Sequence, residues 1–317
     1  MIISSFVLSG SLEKLKLHYN ISGGLLGMLV ALCAATPEIS SAVTALMLKQ
    51  HDVGVGIIIG SNIFNLAALL GITALIAGRL PIKRQALVFN GAVSVIVTLI
   101  LVLLIFRFIS PLVSIFLLAF LMAPYAIVSG LKSAQIKQLR LPLKIRTFLT
   151  QAITSATHNS DDSESGVPKS WSWAWMGGAT LIVIIVTCMG MVRSAVFISN
   201  IWGLNKTILG VLVLAIFTGI PDVITAIKLA LNGKGLAVMS EAINSNTLNI
   251  LFGICIPATV FGVGTLAGQT VFSAWWLIGM TFIAMFLLYF KKGFSRINGA
   301  IIAALYLVFG IIIFNWK

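Results

Sequence analysis

Two short peptides occur twice in this chain at one fixed offset. Thr36-Pro37-Glu38 returns as Ile220-Pro221-Asp222, and Ser61-Asn62-Ile63-Phe64-Asn65 returns as Ser245-Asn246-Thr247-Leu248-Asn249, each 184 residues later (222 − 38 and 249 − 65). A chain built this way folds as two copies of one unit. Each copy sets a carboxylate beside a proline inside an apolar run, where a charged side chain at bilayer depth costs roughly 2.5–3.5 kcal/mol on insertion scales. A cost incurred at both equivalent positions points to function rather than accident.

Hydrophobic residues make up 59% of the 317 and charged residues 9%, and the apolar runs exceed the ~18 residues that mark a membrane-spanning helix. The runs predict nine complete spans, near 21–48, 53–78, 86–106, 111–131, 173–192, 207–231, 236–262, 271–290 and 298–315. Stretches such as Leu181 to Val186 lack the alternation of a membrane strand, which excludes a barrel. The expected fold class is therefore an all-α polytopic membrane protein.

A formal net charge of +13 raises the question of nucleic acid, and the placement of the 21 Lys and Arg answers it. Fifteen lie in one set of alternate loops: Lys14 and Lys16, Arg79 to Arg84, Lys132 to Lys169, Lys234, and Lys291 to Arg296. The other side holds five, Lys49, Arg107, Arg193, Lys206 and Lys317, with Lys228 counted as intrahelical. The positive-inside rule puts the richer set in the cytoplasm. No nucleic-acid partner and no obligate protein partner are predicted; the partners are the lipid bilayer and transported cations. The expected location is the plasma membrane.

Between 132 and 172 the chain turns polar, basic first and then serine-rich and acidic through Asp161, Asp162 and Glu164, which reads as a solvated cytoplasmic linker. It separates a first half, 1–131, from a second, 173–317. Trp171, Trp173 and Trp175 suit interface anchoring at the start of the second half. The first motif helix enters from the cytoplasmic side and its copy from the opposite side, so the repeats are inverted, an arrangement that places a binding site at their interface near the midplane. Ahead of the second motif lies a full span with a connector from Arg193 to Lys206, whereas only Met1 to Gly10 precedes the matching connector in the first half. The first helix reads as truncated, and a late start codon would account for it.

Proline lacks a backbone N–H, so Pro37 frees the carbonyl of Cys33 and Pro221 that of Phe217. Unwound turns there would present bare oxygens. Ser61 and Asn65 lie four residues apart, as do Ser245 and Asn249, so each pair shares one helix face. Hard cations take six to eight oxygen ligands from carboxylates, amides, carbonyls and water. Glu38 and Asp222 would neutralise a divalent ion, and the serine and asparagine oxygens would complete its shell. Interhelical hydrogen bonding is the competing use of the serines.

In these motifs the chain resembles the cation/Ca²⁺ exchanger superfamily, whose two repeats carry Pro-Glu or Pro-Asp followed by Gly-Ser-Asn-Ile-Phe-Asn or a close variant. Ala35-Thr36-Pro37-Glu38-Ile39 with Gly60 to Asn65, and Gly219-Ile220-Pro221-Asp222-Val223 with Asn244 to Asn249, are the matching peptides here. The resemblance implies ten helices in two inverted halves of five. It also implies Glu38 and Asp222 as central Ca²⁺ ligands, with Ser61, Asn65, Ser245, Asn249 and Thr218 lining Na⁺ and Ca²⁺ sites. Ahead of the carboxylates, sodium/calcium exchangers carry Thr-Ser or Asn-Ser pairs, where this chain has Ala34-Ala35 and Thr218-Gly219. The backbone carbonyls at those positions remain as ligands, but several hydroxyls are gone, and Asn249 stands where some members carry a third carboxylate.

The expected function is a secondary cation antiporter, not an enzyme, moving Ca²⁺ or a related cation against Na⁺ by alternating access, with no resident cofactor. Two buried carboxylates balance one divalent cation, two monovalent ions or two protons, which keeps an H⁺-coupled exchanger open as the alternative. An intramembrane hydrolase using the same two acids ranks lower, since the Gly-x-Gly-Asp motif of aspartyl intramembrane proteases is absent; a non-transporting sensor ranks with it. Glu241, one turn before Ser245, is a possible accessory entry or proton site. Cys33, Cys188 and Cys255 read as packing residues, and His18, His51 and His158 as surface residues without metal spacing.

Overall fold

The structure, a computed structural model, describes residues 4, 7, 31–81, 84–130, 172–291 and 293–316. The shortened first helix, most of the linker with its acidic run, Trp171, His18 and His158 lie outside the described residues. Nine helices follow one another among the described residues: α1 Thr36–Met47, α2 His51–Ala77, α3 Arg84–Ile105, α4 Pro111–Gly130, α5 Ser172–Trp202, α6 Lys206–Leu231, α7 Gly235–Ile250, α8 Gly268–Lys291 and α9 Arg296–Asn315. Helix α7 runs on through Leu251–Cys255 into Ile256–Phe261.

One of the two prolines acts as expected and the other does not. Ala35 forms a turn residue just ahead of α1, so the first motif does interrupt the helix. The second does not: Ala215–Leu231 is continuous through Pro221, with Thr218 and Thr225 hydroxyls donating back to the Leu214 and Pro221 carbonyls. Helix α5 also outruns its predicted end at 192, because it continues through Arg193 to Trp202. At 1.5 Å per residue its 31 residues reach about 46 Å, beyond the roughly 30 Å of hydrocarbon, so its last turns can carry a charge.

The interior centres on α2, 94% of whose most apolar 18-residue window is buried, whereas the matching share of α5 is 17%. Helix α5 stands at the edge. Besides meeting α1, it forms a small cluster through Ile184 and Cys188 with Leu181 and Cys33, and joins the main core through Val192 and Val196. Glycine permits the central crossing. A Cβ on Gly210 would lie 2.6 Å from the Val53 carbonyl, and one on Gly60 would collide with the carbonyl of Val211, so α2 and α6 touch backbone to backbone.

A short antiparallel ribbon, β1 Arg79–Pro81 against β2 Gly293–Ser295, ties the two halves together on the basic side and buries Leu80 and Phe294. On the opposite side Asp52 Oδ1 accepts from the Ala267 N–H and the Thr270 hydroxyl, both at 2.8 Å, and the Arg107 guanidinium donates to the Gly264 carbonyl at 2.7 Å. Both faces are thus clasped across the repeats.

Candidate functional site

The Ser-Asn-x-x-Asn motifs face one another where α2 crosses α7. Asn62 Nδ2 donates to the Asn246 carbonyl and Asn246 Nδ2 to the Asn62 carbonyl, each at 3.1 Å across a separation of 184 residues, the same offset that relates the repeats. A carbonyl can only accept, so these bonds set which end of each amide is which. The freed Oδ1 of Asn246 then accepts from Asn65 Nδ2 at 3.0 Å, and Oδ1 of Asn62 from Asn249 Nδ2 at 3.2 Å. With their N–H groups engaged, Asn65 and Asn249 are left presenting oxygen.

Glu38 lies in the first turn of α1 and is fully buried, while Asp222, 2% exposed, sits one turn after Thr218 on α6. The two carboxylates are within electrostatic range of each other. Ser245 is a neighbour of Asp222, and Asn65 Nδ2 reaches the Ser245 hydroxyl at 3.5 Å. These contacts join the two repeats in one buried neighbourhood. Six oxygens there have no protein hydrogen-bond partner: both of Glu38, Oδ2 of Asp222, Oγ of Ser61, and the Oδ1 atoms of Asn65 and Asn249.

Buried polar atoms in native proteins are almost always partnered, and an orphaned one costs about 1–3 kcal/mol or more when charged. Six such atoms on these repeated motifs suit something with many positive contacts to offer. Oxygen-only lining, two carboxylates and amide oxygens match the preferences of a hard cation. Among the described residues no three acidic, histidine or cysteine side chains cluster as a metal site, so neutral oxygens must complete any shell around the pair.

The structure brings together Glu38, Asp222, Asn65 and Ser245 directly, and ties Asn249 in through Asn62. Ser61 shares the buried face of α2. Thr218 is buried with its hydroxyl hydrogen donated to the Leu214 and Ala215 carbonyls, which leaves its oxygen able to accept or coordinate. Phe217 turns its ring outward, 56% exposed, and Cys33 packs toward α5, so neither side chain faces the carboxylates. Ala35 is buried and Ala34 half-buried. Glu241 stands apart from Glu38 but within range of Asp222. Sequence reasoning gave no role to Asn62 and Asn246, although both lie inside the repeated peptide; their shared offset was the available signal.

A right-sized distortion follows each motif. The helix widens to π geometry over Leu66–Ile72 and again over Leu251–Cys255, immediately after the asparagine-bearing turns. Such segments concentrate at functional sites, since the extra residue per turn re-aims the side chains around it.

The sodium/calcium exchanger protein family model matches residues 1–133 and 172–315. The inner membrane protein YrbG of Escherichia coli (strain K12) is 25% identical over 250 residues, covering 74% of this chain and 69% of that protein. Human sodium/potassium/calcium exchanger 4 is 36% identical over a shorter stretch of 70 residues, 22% of this chain and 11% of that protein. Among solved structures, the H⁺/Ca²⁺ exchanger CAX superposes with a TM-score of 0.68 at 15% identity over 98% of this chain and 81% of its own. The sodium-calcium exchanger NCX_Mj does so with 0.62 at 17% identity over 96% and 92%. At those identities the likeness establishes the fold: ten helices in two inverted repeats.

Proposed function

The chain belongs to the sodium/calcium exchanger protein family, and on that premise we propose that it is a secondary antiporter carrying Ca²⁺, or a related hard cation, against Na⁺ across the plasma membrane. The observation that supports this most directly is the pairing of Glu38 with Asp222, one acid from each inverted repeat, amid six oxygens without protein donors. Glu38, Asp222, Ser61, Asn65, Ser245, Asn249 and Thr218 would hold the ion, with the carbonyls of Cys33, Ala34, Ala35 and Phe217 as further ligands.

Alternating access needs an element that moves while the ligands stay. Helix α5 suits that part, since most of its apolar window faces away from the protein and it joins the main core near its C-terminal end, through Val192 and Val196. Its partner in the first repeat would be the segment preceding α1. Competing ions on one set of oxygens couple the two fluxes, because an empty pair of carboxylates is costly to carry through a dry interior.

Proton coupling is the second reading, and a specific observation favours it. Ala34, Ala35 and Gly219 lack the hydroxyls that build separate sodium sites in the exchangers this chain resembles, while two carboxylates can exchange a Ca²⁺ for two protons with no further ligand. Gradient-driven ⁴⁵Ca²⁺ uptake into proteoliposomes, run with Na⁺, K⁺ and H⁺ gradients in turn, separates the readings. Glu38→Gln and Asp222→Asn are expected to abolish uptake under every gradient; wild-type rates in both variants would reject the assignment.

A further inference from the structure

The repeats are not equivalent in the turns that lead into their Ser-Asn-x-x-Asn motifs. Subtracting the repeat offset from Ser240, Glu241 and Asn244 leads to Gly56, Ile57 and Gly60, which are all fully buried where α2 lies against Val211. In the second repeat the same helix face carries three oxygen-bearing side chains and is only half-buried. The Asn244 amide donates to the Ser240 hydroxyl at 3.3 Å. Glu241 Oε2 is buried with no hydrogen-bond partner, and its charged neighbour is Asp222, whose own Oδ2 is also without one. Asp222 is thus the charged neighbour of both Glu38 and Glu241. The three do not form a single cluster.

Direction follows from topology. Helix α7 starts from the loop at Lys234, on the basic and hence cytoplasmic side, and Glu241 precedes Ser245 by one turn, about 6 Å nearer that surface. A half-buried acid on a polar helix face, one step from a shared central carboxylate, is the arrangement of a waiting position. We propose that Glu241, with Ser240 and Asn244, forms a second, cytoplasm-facing cation site that hands its ion to Asp222, and that the first repeat, packed shut by Gly56 and Gly60, offers no counterpart on the external side. The inference rests on the antiporter reading. It adds that the two membrane faces differ in how cations approach.

The test uses wild-type protein, Glu241→Gln and Glu241→Asp in proteoliposomes of defined orientation, with the half-saturating Ca²⁺ concentration measured separately at each face. Glu241→Gln is expected to raise the cytoplasmic-face value about 10-fold to 100-fold, the range seen when a supporting ligand is lost, and to leave the external-face value where the wild type has it. Glu241→Asp, which retains the charge on a shorter arm, should fall between the two, showing that the protein is folded and the carboxylate is what matters. Equal shifts at both faces would make Glu241 part of the central site and overturn the proposal, as would no shift at either. Wild-type protein without any gradient-driven uptake would instead remove the antiporter reading itself.

Discussion

Asn62 and Asn246 each hold two partners, a carbonyl of the opposite repeat and the side-chain amide three residues beyond it. By occupying those N–H groups they oblige Asn65 and Asn249 to show oxygen to the site. Asn62→Ala removes the acceptor for Asn249 and strands a buried donor, at a cost of about 1–3 kcal/mol, and the released amide can rotate its nitrogen toward the ion. The apparent Ca²⁺ affinity should drop by roughly tenfold, as for other residues that orient a metal ligand. Asn246→Ala does the same to Asn65. Because the contacts are related by the repeat, the two variants should weaken half-saturation of uptake alike; an effect in one alone would show that this symmetry has no bearing on ion binding. The carboxylates and the outer asparagines were legible in the sequence from their offset and their one-turn spacing. The inner asparagines were not, since which amide meets which carbonyl depends on how the two helices cross.

Helices α2 and α6 approach so closely because Gly60 and Gly210 leave backbone facing backbone. A flexible side chain could swing away from an added methyl, but the Val211 carbonyl cannot. Gly60→Ala should therefore destabilise by about 1–3 kcal/mol, the usual range for overpacking a filled interior, and lower the midpoint of thermal aggregation in detergent. Gly178 on α5 has nothing within 4 Å of where its Cβ would be. Gly178→Ala should match or slightly exceed wild-type stability, since alanine is the better helix former by up to about 1 kcal/mol. Equal melting of the two variants would mean that the crossing tolerates separation. At this scale apolar length alone predicted nine spans; among the described residues six helices are long and apolar enough to cross a membrane, and the first predicted span, 21–48, lies partly outside those residues. The end of α5 was misread because Arg193 resembles a loop charge, whereas a helix longer than the hydrocarbon thickness carries it outside. The π segments have no residue signature, and Pro221 sits in an unbroken helix, with the Thr218 and Thr225 hydroxyls bonded to the Leu214 and Pro221 carbonyls on either side.

The two halves are held at both surfaces, by the β1–β2 ribbon on the basic side and by the Asp52 and Arg107 contacts on the other, while the charged centre lies between them. What crosses the membrane in each turn of the cycle is set by that centre. It has two acids, and Asn249 occupies the place where a third would raise the negative charge. One Ca²⁺ balances the pair, and so do two monovalent ions, so equally charged loaded forms and an electroneutral exchange are what the proposed antiport predicts. Each uncompensated charge moved would couple to the membrane potential by about 2.3 kcal/mol per 100 mV, enough to change a rate several-fold. Counter-ion-driven ⁴⁵Ca²⁺ uptake should then proceed at one rate whether a potassium diffusion potential holds the vesicles near 0 or near −100 mV, the latter set by valinomycin with the voltage acting on any net charge in transit. Uptake that quickens or slows with the imposed voltage would mean that a third monovalent ion travels with the pair, and that oxygens beyond the two carboxylates carry its site.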